Sequence, residues 1–192
     1  IDFDRNNLMR RIYQFRDLTL DNELINQIYN LKDTSTFKLD KFRIELAKVE
    51  NWRNYFELIN YRPLDIRHIY YSKWIIERPA YEVMRHMLEE NIGLLFTRPS
   101  KPNYKFSVFV TSHLIDQCVV GNKTAGAGIS YIAPLYRYHD ENQKDLFSMQ
   151  EKDKEPNISP SLYNQLETIY TYRPSPENIL NYIYGIFYSN MF

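Results

Sequence analysis

Tyr55-Phe56-Glu57-Leu58-Ile59-Asn60-Tyr61, Arg62-Pro63-Leu64-Asp65 and His68-Ile69-Tyr70-Tyr71 mark the point where the chain changes character. The outer two stretches are rich in aromatic and β-branched residues, which suit the half-buried surface of a strand. Between them Pro63 fixes its own φ and Asp65 readily bonds nearby backbone, so the middle stretch predicts a turn. Upstream the spacing is helical. Leu8, Ile12 and Phe15 fall on one face. Asp21 predicts the cap of a second helix carrying Leu24, Ile25, Ile28 and Leu31, and Phe42, Leu46 and Val49 make a third stripe.

Downstream, Pro79 precedes a predicted helix over 80–90 with Val83, Met84, Met87 and Leu88 inward. Strands are predicted at 92–97, 106–110, 115–120 and 129–135, separated by polar loops at 98–105 and 121–128. Residues 140–158 are acidic and aperiodic, and predict a mobile loop. Ser159 with Pro160, and Ser175 with Pro176, each place an N-cap before proline at the first helical position. The second of these helices carries Ile179, Leu180, Ile183, Ile186 and Phe187, and predicts docking on a core or on a neighbouring domain. The expected class is α+β (mixed α/β): a helical N-terminal part, a central mixed or antiparallel sheet, and C-terminal helices. The expected division is a helical segment at 1–54 packing on an α/β domain at 55–192. No internal repeat is present.

Of 192 residues, 17 are Tyr, 11 Phe and 2 Trp. Tyrosine joins an apolar ring to a polar tip and suits partly wet interfaces as well as cores. Net charge is zero, so the overall footprint of an autonomous nucleic-acid binder is absent. Charge is nevertheless uneven. Residues 91–138 hold Arg98, Lys101, Lys105, Lys123 and Arg137 against Asp116 alone, a local excess of +4. Residues 139–167 hold three lysines against seven acids, an excess of −4.

The single cysteine, Cys118, excludes an internal disulfide and a multi-cysteine zinc site. No apolar run reaches the roughly 18 residues of a membrane span, and no signal peptide opens the chain. Beginning at Ile1, it reads as a piece of a longer cytoplasmic protein. There is no G-x-x-x-x-G-K-[ST], no H-E-x-x-H and no D/E-x-K, and the four histidines are scattered. There is no Pro-Pro pair, hence no [DNS]-P-P-[YF] motif to hold a flipped base beside a methyl donor. His113, Asp116 and Cys118 do not make a triad: in an extended strand, 116 and 118 share a face and 113 does not. No catalytic or metal-ligating residue is assigned.

What remains is a polar contact surface on two loops. Arg98, Lys101, Asn103, Tyr104 and Lys105 lie on the first, and Asn122, Lys123 and Thr124 on the second. Lysine and arginine suit phosphates, and arginine and asparagine match guanine and adenine edges in the major groove. Glycines in the second loop allow close backbone approach.

The runs Arg62-Pro63-Leu64-Asp65-Ile66-Arg67-His68-Ile69-Tyr70-Tyr71 and Glu77-Arg78-Pro79-Ala80-Tyr81-Glu82-Val83-Met84-Arg85-His86-Met87 carry a resemblance. They are similar to the C-terminal target-recognition region of single-polypeptide restriction–modification enzymes, type ISP or type II L/G. Collinear support comes from Phe3-Asp4-Arg5-Asn6, Asn91-Ile92-Gly93-Leu94, Asn122-Lys123-Thr124 and Tyr131-Ile132-Ala133-Pro134-Leu135-Tyr136. The resemblance implies a DNA target-recognition domain with duplex DNA as partner. It implies an adenine-specific methyltransferase domain upstream in the same polypeptide, using S-adenosylmethionine, so that this chain itself holds no cofactor and performs no catalysis. Features shared by enzymes that read different sequences are poor candidates for base readout. Asp65, Arg67 and Arg85 are therefore expected to hold the domain together or to meet the DNA backbone. Two other classes stay open on the residues: a protein–protein docking domain with an aromatic interface, and a small hydrolase.

Overall fold

The structure is a computed structural model and describes residues 1–76, 79–98, 106–120, 129–139 and 154–189. Among these, six α-helices and eight short strands form an α+β fold. The chain divides into two compact units. Unit 1 holds residues 1–59 and 64–80; unit 2 holds 60–63 and 81–192.

Unit 1 opens with α1 (Arg5–Arg16), capped by the Asp4 carboxylate, which accepts from the Asn6 and Asn7 amides. Leu8, Ile12 and Phe15 are its buried residues, as their spacing predicts. α2 (Asn22–Tyr29) is capped by Asp21, again as predicted. Its apolar stripe is narrower than expected: Ile25 is fully buried, but Leu24 and Ile28 are 44% and 53% exposed. Ile25 and Tyr29, four residues apart on one face, take the core side, and Leu31 packs from just beyond the C-terminal end. α3 (Leu39–Ala47) places Leu46 inward. A 3₁₀ turn, Trp52–Tyr55, leads into β1 (Phe56–Arg62), which returns through Pro63 and Leu64 as β2 (Asp65–Tyr70). Leu64 takes a positive φ of 63° and is 99% exposed.

The unit 1 core is Leu8, Ile12, Phe15, Ile25, Leu39, Leu46, Trp52 and Tyr70, flanked by Phe56, Trp74 and Ile75. That packing is why 55–59 and 64–80 lie with the N-terminal helices, whereas the sequence suggests a division at 54/55. Two arginines brace it reciprocally. Arg16, in the last turn of α1, donates to the carbonyls of Leu46, Ala47 and Val49 at the end of α3. Arg43 of α3, only 2% exposed, donates to the carbonyls of Phe15, Asp17 and Leu20 and to the Asn22 side chain. Each satisfies carbonyls that a helix end leaves without intrahelical partners. Burial lowers the Arg43 pKa, and the charges of Asp17 and Asp21 oppose that shift.

In unit 2, Pro79 is followed by α4 (Tyr81–Met84), which tightens at once into a 3₁₀ turn, Arg85–Met87. The predicted helix over 80–90 is thus four α-helical residues long. The tightening turns His86 and Met87 inward and leaves Val83 40% exposed instead of buried. β3 (Gly93–Thr97) follows, with β4 (Val108–Thr111) and β6 (Ser130–Pro134) antiparallel on either side of it. Gly93 marks a close approach: a Cβ there would lie 2.7 Å from side-chain atoms of Ile132 and would force that side chain to shift.

The predicted strand at 115–120 shrinks to β5 (Leu114–Ile115). Asp116 ends it by accepting the Cys118 amide at 2.8 Å, a local side-chain turn that competes with strand pairing. Leu95, Ile115 and Val119 make the unit 2 core, with Met84, Phe109, Val120 and Ile132 against it.

β7 (Tyr136–Tyr138) pairs with β8 (Lys154–Pro156), so residues 154–156 of the expected mobile loop are strand. Its residues 140–153 lie outside the described residues. α5 (Pro160–Tyr170) and α6 (Pro176–Tyr188) begin with proline as predicted. Ser175 accepts the Asn178 amide, whereas Ser159 makes no side-chain cap bond. α6 packs on β4 and buries Ile179 and Leu180, with the Phe187 ring 5.2 Å from that of Phe106; Ile186 is 39% exposed.

Arg43→Met keeps most of the side-chain volume but removes the guanidinium donors from the Phe15 and Leu20 carbonyls and leaves the Asp17 carbonyl with the Leu20 amide alone. An unsatisfied buried polar group costs about 1–3 kcal/mol. We expect a loss of roughly 3 kcal/mol, read as a lower urea midpoint at unchanged slope.

Candidate functional site

The strand register brings together the two strand ends that flank the predicted contact loops. Thr97, the last residue of β3, pairs with Ser130, the first residue of β6. The 98–105 loop leaves β3 at Thr97, and the 121–128 loop enters β6 at Ser130. Both therefore emerge at the same end of the same sheet.

Each neck is closed by a buried hydroxyl. Thr97 is 2% exposed; its amide donates to the Ser107 carbonyl and its Oγ1 accepts the Ser107 amide, both at 3.1 Å. Ser130 is 8% exposed; its Oγ accepts the Val120 amide at 3.2 Å and its own amide donates to the Gln117 carbonyl at 2.9 Å. Two hydroxyls thus hold the two loop roots in register.

Arg98 follows β3 directly and is exposed. Lys101, Asn103, Tyr104, Lys105, Asn122, Lys123 and Thr124 lie outside the described residues. Sequence reasoning missed an aromatic pair beside these roots. Phe96 and Tyr131 are register partners whose rings stack at 5.9 Å with 20° between planes, and Tyr131 is 37% exposed. The available signal was their alternation with Leu95 and Ile132, which face the core.

Asp65 and Arg67 form a forked pair: Arg67 Nη2 and Nε donate to the carboxylate at 2.7–3.1 Å. The Arg67 guanidinium also lies 4.1 Å from the centroid of the Phe3 ring. Arg85 donates to the Tyr138 carbonyl at 3.0 Å. Around it, His86 Nδ1 accepts the Tyr138 amide, and the buried Asn91 amide donates to the carbonyls of His86 and Tyr136. This polar lattice ties the 3₁₀ turn to β7.

One oxygen of the Asp116 carboxylate accepts from both the Arg62 guanidinium, at 3.1 Å, and the Cys118 amide. Among the described residues no ion pair joins Asp116 to His113, and no group of three or more His, Cys, Asp or Glu side chains is placed to hold a metal. No described helix is long and apolar enough to cross a membrane.

Fold and site together define a mixed α+β domain that presents two loops from one sheet end. The chain belongs to the Type ISP C-terminal specificity domain family, whose profile matches residues 1–192. Its fold is similar to part of a DrdV–DNA complex solved by cryo-EM: TM-score 0.60 and 16% identity, covering 95% of this chain and 17% of that one. It is also similar to part of LlaBIII, an ATP-dependent Type ISP restriction-modification enzyme bound to DNA: TM-score 0.61 and 19% identity, covering 99% of this chain and 12% of that one. At these identities the likeness is one of fold. No curated protein matches the chain.

The Tyr136 hydroxyl donates to the Glu177 carboxylate at 2.5 Å, and the Lys154 ammonium lies 4.7 Å from the centroid of the Tyr136 ring. Burial, then the bond to Glu177 and its charge, push the Tyr136 hydroxyl up to about 12. The same bond is the first cause holding the Glu177 carboxyl below its ordinary range. A tyrosine whose folded pKa is raised keeps its proton better folded than unfolded. Its contribution is whole below the ordinary value of 10.0 and fades as pH climbs toward 12. The Glu177 contribution runs the other way: whole above 4.5, and lost as pH falls through the depressed folded value. The gap in urea midpoint between wild type and Tyr136→Phe should therefore stay constant from about pH 6 to pH 9. It should narrow above the ordinary tyrosine range and again in acid.

Proposed function

We propose that this chain is the part of a restriction–modification enzyme that reads the target sequence in duplex DNA. The observation that carries the reading is the Thr97–Ser130 pairing, which roots both basic, polar loops at one end of the β4-β3-β6 sheet. Family membership supplies the specificity role. The chain spans 12–17% of the length of the two solved enzymes, both in complex with DNA. The catalytic work of the whole protein is assigned to an upstream adenine-specific methyltransferase domain that binds S-adenosylmethionine. This chain contributes no cofactor site to it. The site of action is the cytoplasm, where a restriction–modification system meets its own genome.

Roles divide by chemistry. Arg98 and Asn103 match base edges, whereas Lys101, Lys105 and Lys123 match phosphates. Tyr104, Asn122 and Thr124 add hydrogen-bonding groups to the same contact. Asp65, Arg67 and Arg85 support the scaffold. The Asp65–Arg67 fork shapes the start of β2, and Arg85 anchors the 3₁₀ turn on β7.

In the intact natural polypeptide, Arg98→Ala or Asn103→Ala should cost about 1–3 kcal/mol on the cognate duplex and relax the methylated sequence at one position. Lys105→Ala and Lys123→Ala should weaken binding to all duplexes alike. Genome-wide mapping of methylated sites reads the first effect, and duplex titrations the second. If all four variants leave both unchanged, base readout lies elsewhere. Arg67→Ala serves as the contrast: we expect a melting temperature lowered by a loss of about 1 kcal/mol with the methylated sequence intact.

A further inference from the structure

Unit 1 carries an unusual set of cations. The Arg5 guanidinium lies 5.3 Å from the centroid of the Phe56 ring. Arg16 and Arg53 both stack on Trp52, at 4.9 and 4.6 Å. The Lys73 ammonium lies 4.7 Å from the centroid of Trp74. Trp52, Phe56 and Trp74 all belong to the unit 1 core or pack against it. All four cations therefore sit on aromatic rings of the same core.

None of the four pairs with a carboxylate among the described residues. Arg5, Arg53 and Lys73 are exposed, and among the described residues their side chains make no hydrogen bond. Arg5 is the first residue of α1, where the helix dipole disfavours a cation, and the neighbouring Asp4 carboxylate is turned to the Asn6 and Asn7 amides. Arg16 and Arg53 repel one another across the shared indole. Stacking fixes guanidinium groups at low conformational cost while leaving their N–H donors free for an outside acceptor. A polyanion would relieve each of these features.

We propose that Arg5, Arg53 and Lys73, with Arg16 behind them, form a second contact surface that grips phosphates of the duplex backbone. The inference rests on the DNA-binding reading above, but it concerns a different unit and a different kind of contact. It supplies affinity that is indifferent to sequence, whereas the loops of unit 2 supply the reading. It also gives a chain of zero net charge a concentrated place to meet DNA.

The test uses the intact natural polypeptide and a non-cognate duplex, titrated over a range of salt. Each phosphate contact adds about 0.9 to the slope of log affinity against log salt. Arg53→Gln should lower that slope by about 0.9, and Arg5→Gln/Arg53→Gln/Lys73→Gln by about 2.7. Arg53→Lys keeps the charge and should keep the slope. The glutamine variants should weaken cognate and non-cognate duplexes by the same factor and leave the methylated sequence unchanged. The melting temperature serves as the folding control; should the triple variant fail to fold, Arg53→Gln carries the test alone. Wild-type binding with an unaltered slope in a folded Arg53→Gln variant overturns the surface and leaves the reading of unit 2 standing. A wild type that binds no duplex at any salt overturns both.

Discussion

β3 is held on both sides. All five of its residues pair with β6, and four of them also pair with β4. A strand slip of one residue would turn Leu95, 1% exposed, out of the core and Phe96 into it. With both neighbours in place such a slip would break two ladders at once. This double constraint sets where Thr97 stops, and thereby where the chain leaves for one loop and returns from the other. The buried hydroxyls of Thr97 and Ser130 then decide how tightly each neck closes. Loop sequence can vary beyond those necks without disturbing the ladder beneath, which suits a specificity domain.

The parts legible in the sequence were those where one periodicity or one cap acts alone. Leu8, Ile12 and Phe15 lie inward because a twelve-residue helix has length enough to state its face. Asp21 and Ser175 cap because the geometry of a helix start is local. Misreadings arose where tertiary partners override local preference. Leu24 and Ile28 look like core residues, yet the face of α2 that meets the core is the one carrying Ile25 and Tyr29. The stretch 115–120 reads as a strand until Asp116 claims the Cys118 amide. Lys154–Pro156, in an acidic, aperiodic stretch, becomes a strand because β7 offers it a ladder. The exchange of Arg16 and Arg43 between two helix ends was invisible: a charged residue inside a helix reads as solvent-facing until the carbonyls of a neighbouring helix end are known to sit within reach.

The candidate site was legible in part for a related reason. Loops rich in Arg, Lys, Asn and Gly announce a polar surface by composition. That Thr97 and Ser130, the strand residues flanking them, pair at one end of one sheet is a matter of register, which composition does not carry. The Phe96–Tyr131 stack and the Phe56 ring under Arg5 depend on residues distant in sequence. Total charge was equally uninformative, because a sum of zero conceals cations that have no acidic partner.

The chain passes between the two units at 59/60, at 63/64 and at 80/81. Unit 2 thus borrows four residues from the middle of the stretch that builds unit 1. They are not idle there: the Asn60 carbonyl accepts the Asp116 amide, and Arg62 bonds the Asp116 side chain. A protein engineer wishing to exchange specificities between enzymes therefore has no clean cut at 80/81. A graft beginning at residue 81 would arrive without the segment that steadies Asp116 at the end of β5, and a graft ending at 80 would carry that segment away from its use. A transferable segment has to keep residues 60–63 together with those from 81 onward.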